Sequence, residues 1–271
     1  MKDVAVTGGF DNITSRHLRF LQEASAFGPL TVLLWSDEAL ALLTGKSAVF
    51  PLNERLYFLN AVRYVSRVIL VGPTLNFDVL PELEGFRPQA WVDEPAPGNQ
   101  VRQTFCREHG LEYHVLQPDQ LQGFPELPAA NRGPSRKKVV VTGCYDWFHS
   151  GHVRFFEEVS AYGDLYVIIG HDANIRLLKG EGHPLLPQEE RCYVAGSIRY
   201  VTKALISSGA GWLDAEPEIQ QLKPDIYAVN EEGDRGGKRE YCAQQGIEYL
   251  VLKRIPAPGL PARSSTELRG F

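Results

Sequence analysis

The chain has 271 residues, 44% of them hydrophobic, and a formal net charge of -5. That length accommodates two modest domains, each able to bury its own core. The acidic balance argues against a nucleic-acid platform, which shows a basic domain or stripe, but small anionic ligands stay open because a local site can be positive on an acidic protein. Four cysteines lack paired metal-ligand spacing and read as reduced residues. No apolar run reaches the ~18 residues of a membrane span, and no basic-then-apolar leader precedes Val4. A cytoplasmic protein without a membrane or nucleic-acid partner is expected.

The first predicted element is a strand at Val4-Ala-Val6, ending in Thr7-Gly8 and followed by a polar loop and a helical apolar spacing. The same order returns later. The run Val4-Ala-Val-Thr-Gly-Gly-Phe-Asp-Asn-Ile-Thr-Ser-Arg-His-Leu-Arg-Phe20 aligns without a gap on Val139-Val-Val-Thr-Gly-Cys-Tyr-Asp-Trp-Phe-His-Ser-Gly-His-Val-Arg-Phe155. Ala61-Val-Arg-Tyr-Val-Ser-Arg67 answers Ser197-Ile-Arg-Tyr-Val-Thr-Lys203, and Cys106 with Gly110-Leu-Glu-Tyr113 answers Cys242 with Gly246-Ile-Glu-Tyr249. So long a period means a duplicated domain, not a solenoid of ~20–50-residue repeats. Residues 1–121 are expected to form one domain. A Pro-, Gly- and Ala-rich linker should span 122–136, and a second domain 137–271.

In the second copy, Val153, Phe156, Val159 and Ala161 mark a helix, and Leu165-Tyr-Val-Ile-Ile169 the next buried strand. A helix is expected from about Gln188 to Val201, then strands at Ala204-Leu-Ile206 and Ile226-Tyr-Ala-Val229. A helix over Lys238 to Gln245 and a strand at Tyr249-Leu-Val-Leu252 complete the copy. Strands alternating with helices predict an α/β fold with two tandem Rossmann-like, doubly wound parallel sheets.

Between the first strand and first helix of the second copy stand His149 and His152, three residues apart and so on one helical face. They lie where the helix dipole and unpaired N–H groups favour a phosphate, and Gly151 between them would let a ligand approach the backbone. A purely structural alternative is a pair of helix-capping histidines. This run, with Thr142, Gly143, Cys144, Tyr145, Asp146 and Phe148 ahead of it, resembles the HxGH signature of the cytidylyltransferase-like nucleotidyltransferases, in the extended form with Gly-x-Phe/Tyr-Asp. The resemblance implies that both histidines hold nucleotide phosphates and stabilise charge on the α-phosphate as pyrophosphate leaves.

Pro261-Ala-Arg-Ser-Ser-Thr-Glu-Leu-Arg269 resembles the family's carboxy-terminal segment, whose hydroxyls and amides bind the β- and γ-phosphates; this implicates Ser264, Ser265 and Thr266. Ser264 with Glu267 is also an ordinary capping box. The family's arginine ahead of that run is here either Arg254 or Arg263, and Arg263 is the one adjoining it. By the same resemblance Lys179 would neutralise phosphate charge. Arg191 takes the place of an arginine in a Tyr-x-x-Arg element, and Asn230, Asp234 and Lys238 belong to a loop near base and ribose.

The first copy acts as an internal control. Thr14 stands opposite His149, Arg16 opposite Gly151, Thr44 opposite Lys179, Glu94 opposite Asn230 and Gly98 opposite Asp234, while His17, Asp11, Asp37 and Arg55 persist. The first copy therefore reads as non-catalytic, and as family members commonly dimerise, it could act as a covalently attached pseudo-dimer partner; further oligomerisation stays open.

The expected activity is transfer of a nucleoside monophosphate from a nucleoside triphosphate, CTP ahead of ATP, to a phosphorylated small molecule. Mg²⁺ would accompany the triphosphate, and no dedicated protein metal site is expected. The rivals are a nucleotide-binding pseudoenzyme and a dinucleotide-dependent redox enzyme. The second lacks a GxGxxG after either first strand.

Overall fold

The computed structural model describes residues 2–73, 76–130, 136–265 and 268. The chain divides into two units, Met1–Gly123 and Phe124–Phe271.

In the first unit, β1 (Val4–Gly8), β2 (Leu30–Trp35), β3 (Val65–Val71), β4 (Ala90–Asp93) and β5 (Glu112–Val115) form one sheet in the order β3-β2-β1-β4-β5. All pairs are parallel. Helices α1 (Ser15–Ser25), α2 (Asp37–Thr44), α3 (Leu52–Ala61) and α4 (Asn99–Glu108) make the crossovers. The second unit repeats the plan. Its strands β6 (Lys138–Gly143), β7 (Asp164–Ile169), β8 (Val201–Ile206), β9 (Ile226–Asn230) and β10 (Glu248–Leu252) are ordered β8-β7-β6-β9-β10 and are again parallel. Its helices are α5 (Ser150–Ser160), α6 (Asp172–Lys179), α7 (Gln188–Gly196), α8 (Glu216–Leu222) and α9 (Lys238–Gln245).

The strands are β-branched and aliphatic because both sheet faces are covered. Val139, Val140 and Val141 have no exposed surface, nor have Val4, Ala5 and Val6 at the equivalent places. Even the irregularities recur: the register slips between Leu30 and Thr31 in one sheet and between Leu165 and Tyr166 in the other. In each sheet the first strand lies between the second and the fourth, so the crossovers diverge at its carboxyl end. That is where open α/β sheets leave a ligand crevice.

The structure departs from the sequence expectation in three places. Helix α7 stops at Gly196 and β8 starts at Val201, because Val201-Thr202 joins the edge of the sheet instead of prolonging the helix. Helices α6 and α8 were not foreseen. With eight and seven residues, and only Asn174 and Ile175, or Ile219, buried, they are too short to print a periodicity. The stretch expected as a free linker is partly attached to the second unit. The Phe124 ring lies 5.7 Å from that of Tyr193, Glu126 pairs with Lys203 at 3.3 Å, and the Ala130 N–H donates to the Thr202 carbonyl at 2.9 Å. Residues 131–135 of that stretch lie outside the described residues. Among the described residues no helix is long and apolar enough to cross a membrane.

Candidate nucleotide site

A cleft of about 710 Å³ opens at the carboxyl ends of β6 and β9. His149 is the N-cap of α5 and is 3% exposed. Its Nδ1 accepts the Gly151 N–H at 3.1 Å, which leaves the ring proton on Nε2. That Nε2 is buried without a hydrogen-bond partner. His152 Nδ1 in turn accepts the His149 N–H at 3.4 Å, and the two rings stack at 4.0 Å. The histidines do cap the helix, yet the cap does not compete with a role in the cleft. Capping occupies each Nδ1 and fixes the tautomer, so both Nε2 atoms are left as donors beside the positive end of α5.

Burial pushes the His149 imidazolium pKa down to about 4, and Arg254 and then Arg263 push it the same way. His152 is also held well below the usual histidine range, first by burial, then by His149, Arg254 and Lys179. Both rings are therefore neutral donors at pH 7.

The turn before α5 explains the other motif residues. Tyr145 has φ +53°, and its ring lies over Gly143 so closely that a Cβ there would stand 2.7 Å from Cε2. The glycine seats the tyrosine. The Tyr145 ring then meets His152 edge-on at 5.2 Å, while Phe148, 6.4 Å from Tyr145, stacks on His152 at 5.2 Å. Phe148 thus backs the histidine and does not line the cleft. Gly151 was expected to admit the ligand, but a Cβ at that position would lie 2.9 Å from His149 Cε1. What needs the space is the imidazole.

Asp146 reaches the cleft wall, but its carboxylate accepts the N–H groups of Leu185 and Leu186 at 2.9 Å. Arg191, expected beside the nucleotide, is fully buried and is not among the cleft's lining residues. It donates to the carbonyls of Leu186 (2.9 Å), Cys144 (2.6 Å) and Gly170 (2.8 Å) and to Asp172 (2.6 Å). The first unit builds the same clamp. Asp11 accepts from Val49 and Phe50 at 2.8 Å, and Arg55 donates to the carbonyls of Phe50, Gly9 and Trp35 and to Asp37. Arg191 and Asp146 belong to the framework that fixes the strand-to-helix turn.

Thr142, Cys144, Lys179, Asn230, Lys238, Ser264 and Ser265 do line the cleft. Thr142 Oγ1 and the Tyr227 hydroxyl share a hydrogen bond at 2.6 Å. Burial raises the Cys144 thiol pKa, with Lys179 and Arg191 opposing it. The Lys238 ammonium donates to the Gly233 carbonyl at 2.9 Å, and Ser265 Oγ donates to the Trp147 carbonyl at 3.2 Å. Asp234 is not brought to the cleft; it accepts from Arg239 at 2.9 Å and from the Tyr249 hydroxyl at 3.0 Å. Thr266 lies outside the described residues.

Of the two candidate arginines, Arg254 lines the cleft, whereas Arg263 lines only an adjoining pocket of about 310 Å³. Arg254 borders both spaces, pairs with Glu232 at 2.5 Å and donates to the Arg263 carbonyl. Arg235, Glu232, Trp147 and Phe155 are further lining residues that the sequence motifs did not single out. Lys179, Arg235, Lys238 and Arg254 outnumber Asp146 and Glu232, so the cleft is cationic on an acidic chain. Among the described residues no group of three or more His, Cys, Asp or Glu side chains converges as a metal site.

A parallel sheet with a cationic crevice at its switch point, and two neutral imidazole donors at a helix N-terminus, is the architecture of a nucleotide-phosphate-handling enzyme. Residues 140–269 match the family described as Cytidylyltransferase-like. An FAD synthase from Ferroglobus placidus is 34% identical over 120 residues, 43% of this chain and 75% of that protein. The Bifunctional protein HldE of Pseudomonas fluorescens is 33% identical over 175 residues, 62% of this chain but only 33% of that protein. A solved lipopolysaccharide core biosynthesis protein from Thermoplasma volcanium GSS1 aligns with a TM-score of 0.38 and 19% identity over 45% of this chain and 99% of that one. The chain belongs to the cytidylyltransferase-like family and is a nucleotidyltransferase. The matched range falls within the second unit. The first unit is tied to the second by the internal repeat, the common strand order and the common clamp.

Proposed function

We propose that the second unit transfers AMP from ATP to a phosphorylated small molecule and releases pyrophosphate. The observation that carries this reading is the buried, unpartnered Nε2–H of His149 facing a cationic cleft. A buried donor without an acceptor is costly, and a phosphate oxygen is the acceptor that this electrostatic setting favours. An oxygen of the acceptor's phosphate attacks the α-phosphorus in line. The bond from that phosphorus to the bridging oxygen breaks, and pyrophosphate leaves opposite. His149 and His152 hold the non-bridging oxygens where charge builds up, while Lys179, Arg254 and the Ser264–Ser265 turn carry the leaving group. The adjoining pocket offers Phe155, Ile255, Pro256, Ala257 and Leu260 as apolar surface beside Asn230 and the charged Arg154, Glu158, Lys253 and Arg263, a mixed lining that can take a heterocyclic base. Mg²⁺ enters with the triphosphate, because the cleft supplies cations and its two carboxylates already hold N–H groups or Arg254.

The motif resemblance favoured CTP. ATP is the better supported donor, since several of the relatives, that of Ferroglobus placidus among them, are named FAD synthase, and the nucleotide half of FAD is adenylate. The first unit is read as non-catalytic. Pyrophosphate release by the intact chain, with ATP or CTP and a panel of phosphorylated acceptors, tests the reading. ATP should give at least tenfold higher kcat/KM, and a preference for CTP would reverse the donor assignment.

A further inference from the structure

Trp147 is a cleft residue whose side chain the fold leaves uncommitted. Its neighbours on the turn between β6 and α5 have structural partners: Asp146 accepts from Leu185 and Leu186 at 2.9 Å, and Phe148 stacks on His152. The Trp147 backbone is held too, because its carbonyl accepts the Ser265 hydroxyl at 3.2 Å. The indole differs. It lines the cleft, but its Nε1–H is buried and has no hydrogen-bond partner among the described residues.

A buried donor left without an acceptor is destabilising and calls for an explanation. Two comparisons within the chain remove the structural ones. Trp91 of the first unit also has an unpartnered Nε1, but that ring is fully buried, meets Phe105 and Tyr113 edge-on and carries Arg102 over its face. Core packing accounts for it. The residue equivalent to Trp147 is Asn12, at φ +55°, and the first unit still forms α1 and the clamp of Asp11 and Arg55 around it. Neither the core nor the turn therefore requires an indole at 147.

The other cleft donor in the same condition is His149 Nε2, two residues further on. Two orphaned N–H groups so close along the chain, in a cleft where cations outnumber carboxylates, match an anionic oxygen, and a hydrogen bond to a charged acceptor is worth more than one to a neutral acceptor. The bond from Ser265 ties the same tryptophan to the serine turn. We propose that the Trp147 indole N–H donates to a phosphate oxygen of the bound reactants, so that Trp147 is a phosphate-binding residue of the second unit beside His149 and His152. The proposal rests on the nucleotidyl-transfer reading for the identity of its ligand.

The test is nuclear magnetic resonance of the indole N–H groups in the intact chain, which has four tryptophans; the Trp147 signal is the one missing from Trp147→Phe. The non-cleavable α,β-methylene analogue of ATP is added with Mg²⁺, and inorganic phosphate follows. The Trp147 signal should move downfield as the hydrogen bond forms. Movement with the analogue alone assigns the bond to the triphosphate, and movement only after inorganic phosphate assigns it to the acceptor's phosphate. Trp147→Phe keeps an aromatic ring and loses the N–H, so it should bind whichever probe moves the signal about tenfold more weakly. Its melting temperature without ligand should equal or exceed that of wild type, because an unsatisfied buried donor has been deleted. A ring that only packs would show the reverse, a lowered melting temperature with unchanged affinity. Binding of the analogue without a downfield shift in either step, or affinities in Trp147→Phe within about twofold of wild type, would overturn the proposal and leave the transfer reading standing. No binding of the analogue by wild type would remove the transfer reading, and this proposal with it.

Discussion

The two units share a backbone plan and differ in what fills the end of it. In the second, the space above β6 and β9 is a cleft lined by Lys179, Arg235, Lys238 and Arg254. In the first, Arg16 occupies the place of Gly151 and pairs with Glu94 at 2.6 Å. Arg102, opposite Lys238, is bound by Asp78 at 2.8 Å and by Asp93, and Trp91 lies fully buried where the second unit has Tyr227. Each cation there already has a carboxylate. The comparison separates residues that build the turn, kept in both units, from residues that leave a cationic vacancy, present in one. Asp146 and Arg191 fall in the first group, and His149, Gly151, Lys179 and Lys238 in the second.

The largest expected effect comes from removing what the first unit lacks. His149→Ala removes a donor aimed at developing charge and should lower kcat about 10²–10³-fold. Gly151→Arg should do at least as much, because a Cβ there already presses on the His149 ring. His17→Ala in the first unit should leave turnover unchanged. Steady-state pyrophosphate release distinguishes the three.

Next is the clamp, which should matter equally to both folds. Arg191→Ala and Arg55→Ala each strip a buried guanidinium from three carbonyls and an aspartate, for a loss of about 3 kcal/mol in denaturant unfolding. If Arg191→Ala left stability untouched but abolished ATP binding, the arginine would belong to the ligand after all.

A third effect is pH dependence. The folded-state pKa of His149 is about 4, below its ordinary value near 6.5. Between those values the unfolded chain binds the extra proton, so stability falls as the pH drops from 6.5 toward 4 and is regained on the way up. His149→Asn should flatten that slope in a series of thermal melts. His17, whose pKa burial also lowers, and His152 will keep part of it.

The smallest effect is expected at the first unit's surface pair. Arg16 is over half exposed, so Arg16→Gly should change stability by less than about 1 kcal/mol. It should also confer no nucleotide binding, because Arg102, Asp78, Asp93 and Trp91 still fill the space.

Much of this was legible in the sequence, for physical reasons. Strands buried on both faces must be continuous apolar runs, so the β–α order could be read from Val139-Val-Val141 or Leu165–Ile169. The histidine pair was legible because a spacing of three on a helix start has few uses. Less visible was which motif residues face inward. Arg191 and Asp146 read as ligand contacts because a charged residue in a family motif suggests a charged partner, whereas their partners are backbone groups far along the chain. Their persistence as Arg55 and Asp11 was the available signal. Arg254 lay outside the serine-rich segment, and only the path of residues 255–263 brings it to the cleft.

The most direct test is calorimetric titration of the intact chain with ATP and, separately, CTP, beside Lys179→Thr, which carries the first unit's residue. One ATP per chain, bound more tightly than CTP and weakened in the variant, is the expected result. Two ATP sites per chain, or affinity unaffected by Lys179→Thr with CTP preferred, would contradict the assignment of a single adenylate-transferring site to the second unit.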